Sequence, residues 1–191
     1  MLKPDNPNPC DKYLSDRDYL LHMIPHHQVA VDISKEMQKK TSNTVIHQIL
    51  RPLIWNQNRE IMMMKDILRS LPSNISDDTI KMNKIYINTT LDFTKNASDL
   101  NAECNTMFFD PELHKEHISH IKLDEKMYLE HMIPHHQVAV DMSKTLLKHT
   151  NSDFMISFAY RIIRSQQSEI NHMTQLLQNL KGWSWNSDLI T

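Results

Sequence analysis

The sequence predicts an all-α chain: a four-helix bundle made of two repeated helical hairpins with a long crossover connection. Three observations lead there. The 191 residues hold one glycine, Gly182, whereas sheet turns and phosphate-cradling loops usually draw on several. The string HMIPHHQVAVD stands twice without a change, at 22–32 and at 131–141. Apolar residues then recur at helical spacing through each copy. Hydrophobic residues make up 40% of the chain, enough at this length to build a core.

The repeat runs well beyond the quoted string. At a constant offset of 109, residues 15–72 align with 124–181 without a gap. The first helix of each copy begins at a capping residue, Ser15 or Asp124, and runs to about Lys40 or His149. Residues 41–44 and 150–153 form the turn and offer the next cap. The second helix continues to about Leu71 or Leu180, and Pro72 and Gly182 lie where helix stops belong. Residues 75–123 have no counterpart and form a polar, Asn-rich connection; Asp110-Pro111 is a helix start near its end. The segment IKMNKIYINTT within it fits helix or strand. A polar tail, 1–14, precedes the expected domain at 15–182, and 183–191 form a second tail.

The histidines fall on the apolar side. At about 100° per residue, His22, His26 and His27 share an arc of roughly 140° with Met23, Ala30, Ile33, Ser34 and Met37. Gln28, Asp32, Lys35 and Glu36 take the opposite side. The second copy repeats this with His131, His135 and His136 beside Met132. In the second helices Gln57, Glu60, Ile61, Met64 and Leu68 form one stripe, matched by Gln166, Glu169, Ile170, Met173 and Leu177. A glutamine and a glutamate therefore face the core in both copies. A buried carboxylate must be paired, protonated or bound to a metal, and histidines of the facing helix are the obvious partners. Pro25 and Pro134 stand inside the first helices; each removes a hydrogen bond to Leu21 or Glu130, kinks the helix at a cost of about 3 kcal/mol and re-aims the adjacent histidines.

Two readings follow. One is a buried His–Glu–Gln network that fixes helix register, in a structural or partner-binding bundle. The other is a metal site, for which the i, i+4 spacing of His22 with His26 and of His131 with His135 suits chelation. Glu169-x-x-His172 resembles half of a ferritin-like di-iron site, but the matching stretch ends in Met63, and the first helices supply histidines where that site needs glutamates. Histidine with methionine is a ligand set for copper, with zinc or iron as alternatives. Twelve histidines and thirteen methionines are the main compositional bias, although methionine also fills irregular cores. His114, His117 and His120 form a further histidine cluster, read first as a solvated helix face.

The ordered pattern M-I-x-H-H-x-x-A-x-x-M/I, then Q-x-x-E-I-x-x-M, present twice over 15–72 and 124–181, resembles the domain of unknown function 305 family. The resemblance implies a ferritin-like four-helix bundle of two hairpins. Many members are exported bacterial proteins, and some are associated with copper binding or metal tolerance. On that resemblance His26, His27, His135 and His136 carry the family's paired histidines. Gln57, Glu60, Met64, Gln166, Glu169 and Met173 match its second-helix pattern. The chain departs from the typical member in lacking an export signal, in its long Asn-rich connection, and in the Met63/His172 asymmetry.

The functional expectation is a metal-binding bundle, copper first, for storage, sequestration or tolerance. A metal-dependent oxidoreductase is a third reading, for which the sequence shows neither an open coordination position nor redox cycling. No nucleophile–base constellation stands out. The net charge of −2 gives no basic footprint for nucleic acid, and no apolar run is long enough to span a membrane. Cys10 and Cys104 fit no zinc or redox spacing. The polar, proline-rich N-terminus does not read as a signal peptide, so the cytoplasm is the default expectation. The sequons at Asn74, Asn88 and Asn96 would matter only in a secreted protein.

Overall fold

A computed structural model of the chain describes residues 13–71, 111 and 122–183. Four helices carry it: α1 (Asp16–Lys40), α2 (Thr44–Ser70), α3 (Glu125–Leu147) and α4 (Asp153–Trp183). Among the described residues there is no strand. The connection with its expected Asp110 cap, the segment IKMNKIYINTT, His114, His117 and His120, the sequons and both cysteines lie outside the described residues, Pro111, Lys122 and Leu123 excepted.

The expected caps form. Ser15 Oγ accepts from Asp18 N at 3.1 Å, and the Asp124 carboxylate accepts from Met127 N at 2.8 Å. Asn43 and Ser152 do the same for α2 and α4, at 3.0 and 3.3 Å. Each cap satisfies an N–H that the first turn leaves without a helical partner. The α2 helix ends at Ser70, where Leu71 N donates to Ile67 O, one residue before Pro72. Gly182 does not act as a stop: α4 continues through it to Trp183. One helical glycine costs only about 1 kcal/mol, less than a helix of this length recovers by packing. Pro25 and Pro134 lie inside α1 and α3, which run on through them, and α2 runs through Pro52.

Contacts at the helix ends set the directions. Thr41 and Asn43, at the end of α1, donate to the Glu125 carboxylate at the start of α3. Tyr13, before α1, meets His149, just after α3, edge-on at a ring distance of 4.9 Å. The α1 and α3 helices are therefore antiparallel. Each hairpin is antiparallel within itself, so every neighbouring pair around the bundle (α1–α2, α2–α4, α4–α3, α3–α1) runs in opposite directions. The end of α2 and the start of α3 consequently lie at opposite ends of the bundle.

The core is divided in two. One apolar cluster gathers Leu14, Tyr19, Leu20, Met23, Ile61, Met64, Met142 and Phe158 with their neighbours. The other gathers their counterparts from the opposite end, including Leu123, Tyr128, Leu129, Met132, Ile170, Met173 and Ile33. On every helix the residues between the two clusters are the polar ones singled out by the repeat.

Two buried hydrogen bonds cross from α1 to α3 within these clusters. Ser143 Oγ donates to Ala139 O at 2.8 Å, so Tyr19 donates its phenolic proton to Ser143 Oγ, also at 2.8 Å. Ser34 and Tyr128 share the matching bond at 2.8 Å. Burial raises the pKa of both phenols well above the ordinary value. Replacing either tyrosine with phenylalanine should lower stability by about 1 kcal/mol, because a buried hydrogen bond between α1 and α3 is then lost; urea unfolding would measure this. The raised phenols also predict an alkaline limit. Their contribution is complete below the unfolded value of about 10 and is lost as pH rises beyond it, since only the unfolded chain then releases protons. Unfolding free energies of wild type and the Tyr19→Phe/Tyr128→Phe protein across pH 9–12 should show a shallower decline in the variant.

Candidate metal centre

The layer between the two apolar clusters is built around a pseudo-two-fold axis. His26 and its repeat counterpart His135 stack face to face there, with ring centroids 3.7 Å apart and planes at 30°. Both are fully buried. His26 Nε2–H donates to the backbone oxygen of His135 at 3.1 Å; a carbonyl can only accept, so this bond fixes the tautomer. Burial first, then the neighbouring His27 and His136, hold the His26 imidazole well below its ordinary pKa.

Each half of the layer then adds a histidine–carboxylate pair. His27 Nε2 lies 3.0 Å from Glu60 Oε2, and His136 Nε2 lies 2.8 Å from Glu169 Oε2. Both pairs join the two helices of one hairpin. Gln57 crosses between hairpins, its Nε2 standing 3.4 Å from His136 Nε2. The single proton on that nitrogen goes to the carboxylate, so turning the Gln57 amide over would set its otherwise unpartnered Oε1 against the same N–H. Gln166, the counterpart of Gln57, is buried with neither amide atom hydrogen-bonded among the described residues. The Nδ1 atoms of His27 and His136 are likewise buried without a hydrogen bond.

The structure thus brings His26, His27, Glu60, His135, His136 and Glu169 into one layer, with Gln57 and Gln166. Met23 and Met64 pack together in the apolar cluster on one side, Met132 and Met173 in that on the other. His22 is buried on the turn before the layer, and its counterpart His131 is half-buried. His172 is exposed on α4. Met63 is half-buried and turns its sulfur to Arg161, whose Nη1 donates to Sδ at 3.9 Å. Gln28 and Asp32, expected on the outer side, are half-buried and joined by a 2.9 Å hydrogen bond; Gln137 and Asp141 repeat it, and Gln137 is buried. A two-hairpin bundle covers more of α1 and α3 than one apolar arc, because each packs against two neighbours. Among the described residues, no three His, Cys, Asp or Glu side chains stand close enough together to hold an ion.

Sequence reading passed over two features. The Tyr19–Ser143 and Ser34–Tyr128 bonds had a signal: both residue types recur at the 109 offset. Arg161 beside Glu60 had none, because its counterpart is Pro52.

The sequence pattern described as Domain of unknown function (DUF305) matches residues 16–177. The chain belongs to that family. An uncharacterized protein of Acanthamoeba polyphaga mimivirus is 44% identical over 59 residues, or 31% of this chain and 39% of the viral protein. That match thus spans well under half of the relative's length. Among solved structures, CopM in its Cu(II)-bound form superposes with a TM-score of 0.63 at 26% identity, covering 88% of this chain and 99% of that one. CopM co-crystallized with Ag gives 0.59 at 26% identity, over 87% and 97% of the two chains. Its apo form gives 0.59 at 27%, over 87% and 98%. No helix among the described residues is long and apolar enough to cross a membrane.

The histidine–carboxylate pairs make a stability prediction of their own. His27→Ala removes the closest partner of a buried carboxylate and opens a cavity, so it should cost about 3 kcal/mol. Chemical denaturation in the presence of a chelator would measure it; a loss under about 1 kcal/mol would mean that the pair contributes no more than a surface contact.

Proposed function

We propose that the central layer binds a metal ion, copper first, and that the protein acts in metal storage, sequestration or tolerance. The observation that carries this reading is the state of His27 and His136. Each gives its Nε2 to a glutamate and keeps a buried Nδ1 with no hydrogen-bond partner among the described residues. A carboxylate that orients an imidazole and fixes its proton on one nitrogen leaves the other as a lone-pair donor, the arrangement common behind metal-bound histidines. His26 and His135 lie beside them. The thioethers of Met23, Met64, Met132 and Met173 flank the layer, and His22, His131, Met63 and His172 extend the donor set outward.

Imidazole with thioether is a borderline-to-soft donor set that suits copper. That CopM, at 26% identity, has been solved with Cu(II) and with silver bound supports copper over zinc or iron. Such an ion would be cargo, held by groups that otherwise bond one another, and no catalytic step is required of it.

The absence of three converging ligand residues among the described ones favours a second reading. In it the imidazole–carboxylate–amide network is complete as it stands and serves to fix helix register.

Metal addition separates the two. Chelator-stripped protein titrated with Cu(II) and with silver should bind more tightly than about micromolar. Free metal at a hundred times Kd should add about 2.7 kcal/mol of stability, seen as a raised melting temperature. His26→Ala/His135→Ala should abolish that rise. A wild-type melting curve indifferent to both ions would favour the register network.

A further inference from the structure

The outer face of α2 departs from the ordinary solvated side of a helix. Inward, α2 buries Ile46, Leu50, Leu53, Ile61 and Met64. On the opposite side, at about 100° per residue, Arg51, Trp55, Arg59, Met62 and Arg69 fall within roughly 40° of one line, about 27 Å long. Trp55 is 63% exposed and Met62 60%. The Arg59 guanidinium lies over the Trp55 ring, 5.3 Å from its centroid, and Lys65 stands exposed beside this ridge. On α1, Lys39 and Lys40 are both paired with Glu36. On the ridge, Asp66 pairs with Arg69, and among the described residues no carboxylate pairs with Arg51, Arg59 or Lys65. The fold does not require such a face. The repeat counterparts of the five ridge residues, in order, are Tyr160, Arg164, Ser168, Asn171 and Gln178 on α4, a mostly uncharged side of the kind a helix turns to water.

We propose that this ridge of α2 docks the protein on an anionic lipid bilayer, lying against the surface without crossing it. The inference does not depend on the metal-binding reading. The outside of a single helix is convex, and a bilayer is a flat, yielding partner that meets such a ridge along its length. The side chains match that surface. Indole and thioether settle at headgroup level, while arginine and lysine lay their stems along the apolar boundary and reach lipid phosphates with their charged ends. The chain as a whole carries −2, so the attraction is local: Arg51, Arg59, Lys65 and Arg69 against the single Asp66. Nucleic acid is the poorer match. Bases stack on free aromatic faces, and the aromatic ring of this ridge already has Arg59 across it.

Co-sedimentation of the full chain with vesicles tests this. Phosphatidylcholine vesicles with about a third phosphatidylglycerol should carry the protein down at low salt and release it as salt rises towards about 0.5 M. Pure phosphatidylcholine vesicles should leave it in solution. Arg51→Gln/Lys65→Gln/Arg69→Gln, which changes only exposed side chains, should weaken binding about 100-fold, at roughly 5-fold per charge. Arg51→Lys/Arg69→Lys, which keeps the charge, should bind as wild type does, and Trp55→Ser should bind about 10-fold more weakly. In a Trp183→Phe/Trp185→Phe protein, Trp55 is the remaining tryptophan, and its emission should move to the blue on the anionic vesicles. Circular dichroism checks the fold of each variant. No binding to anionic vesicles, equal binding to neutral ones, or binding unmoved by the triple substitution would overturn the proposal. So would a wild-type dimer that Trp55→Ser reduces to monomer, which would give the ridge to a second copy, or capture of single-stranded RNA in place of vesicles.

Discussion

A carboxylate buried in a helical bundle must be given a partner where it stands. Glu60 is enclosed at mid-bundle, and His27 Nε2 at 3.0 Å answers it. The rest of the architecture follows from that need. His27 and Glu60 set α1 against α2, and His136 and Glu169 set α3 against α4. The stacked His26 and His135 set α1 against α3, Gln57 links α2 to α3, and Arg161 links α4 to α2. All four helices are thus registered in one layer. The apolar clusters on either side could not do this alone, because side chains such as methionine and leucine repack under small slips.

That layer is expensive. Polar groups in a core rarely match the stability of apolar side chains of the same volume, and several here are left with unused hydrogen-bonding capacity. The Gln166 amide and two imidazole nitrogens are the plainest cases. A chain that wanted only a stable bundle would be better served by leucine at these positions. Their presence in both halves fits either a demand for unique register or a ligand that completes the layer, and the unspent lone pairs weigh toward the ligand.

Much of this was legible in the sequence. Caps at Ser15 and Asp124, the hairpin turns and the inward glutamine–glutamate stripe came from local chemistry and helical periodicity, which act within one or two turns. The exact repeat pointed to a paired site, and the structure places those histidines on a common axis. What the sequence concealed depends on which helices become neighbours. Periodicity ranks the faces of a helix but cannot say that α1 touches both α2 and α3, so Gln28 and Gln137 looked more exposed than they are. Gly182 looked like a stop because composition carries no record of the packing that lets α4 extend past it. Arg161 stayed hidden because it breaks the repeat that exposed everything else.

The stack of His26 on His135 has one more consequence. Those residues are each other's counterparts, so the surface that α1 offers α3 is the same surface that α3 offers α1. A surface of that kind is self-complementary in the isologous sense. A single hairpin already carries both sides of its own interface, and two identical copies would meet across a true two-fold with the imidazole stack and the histidine–glutamate pairs in place. In assembly terms the chain is a homodimer written end to end, and the differences between its halves, Arg161 for Pro52 and His172 for Met63, are changes that only the fused form can hold on one side alone.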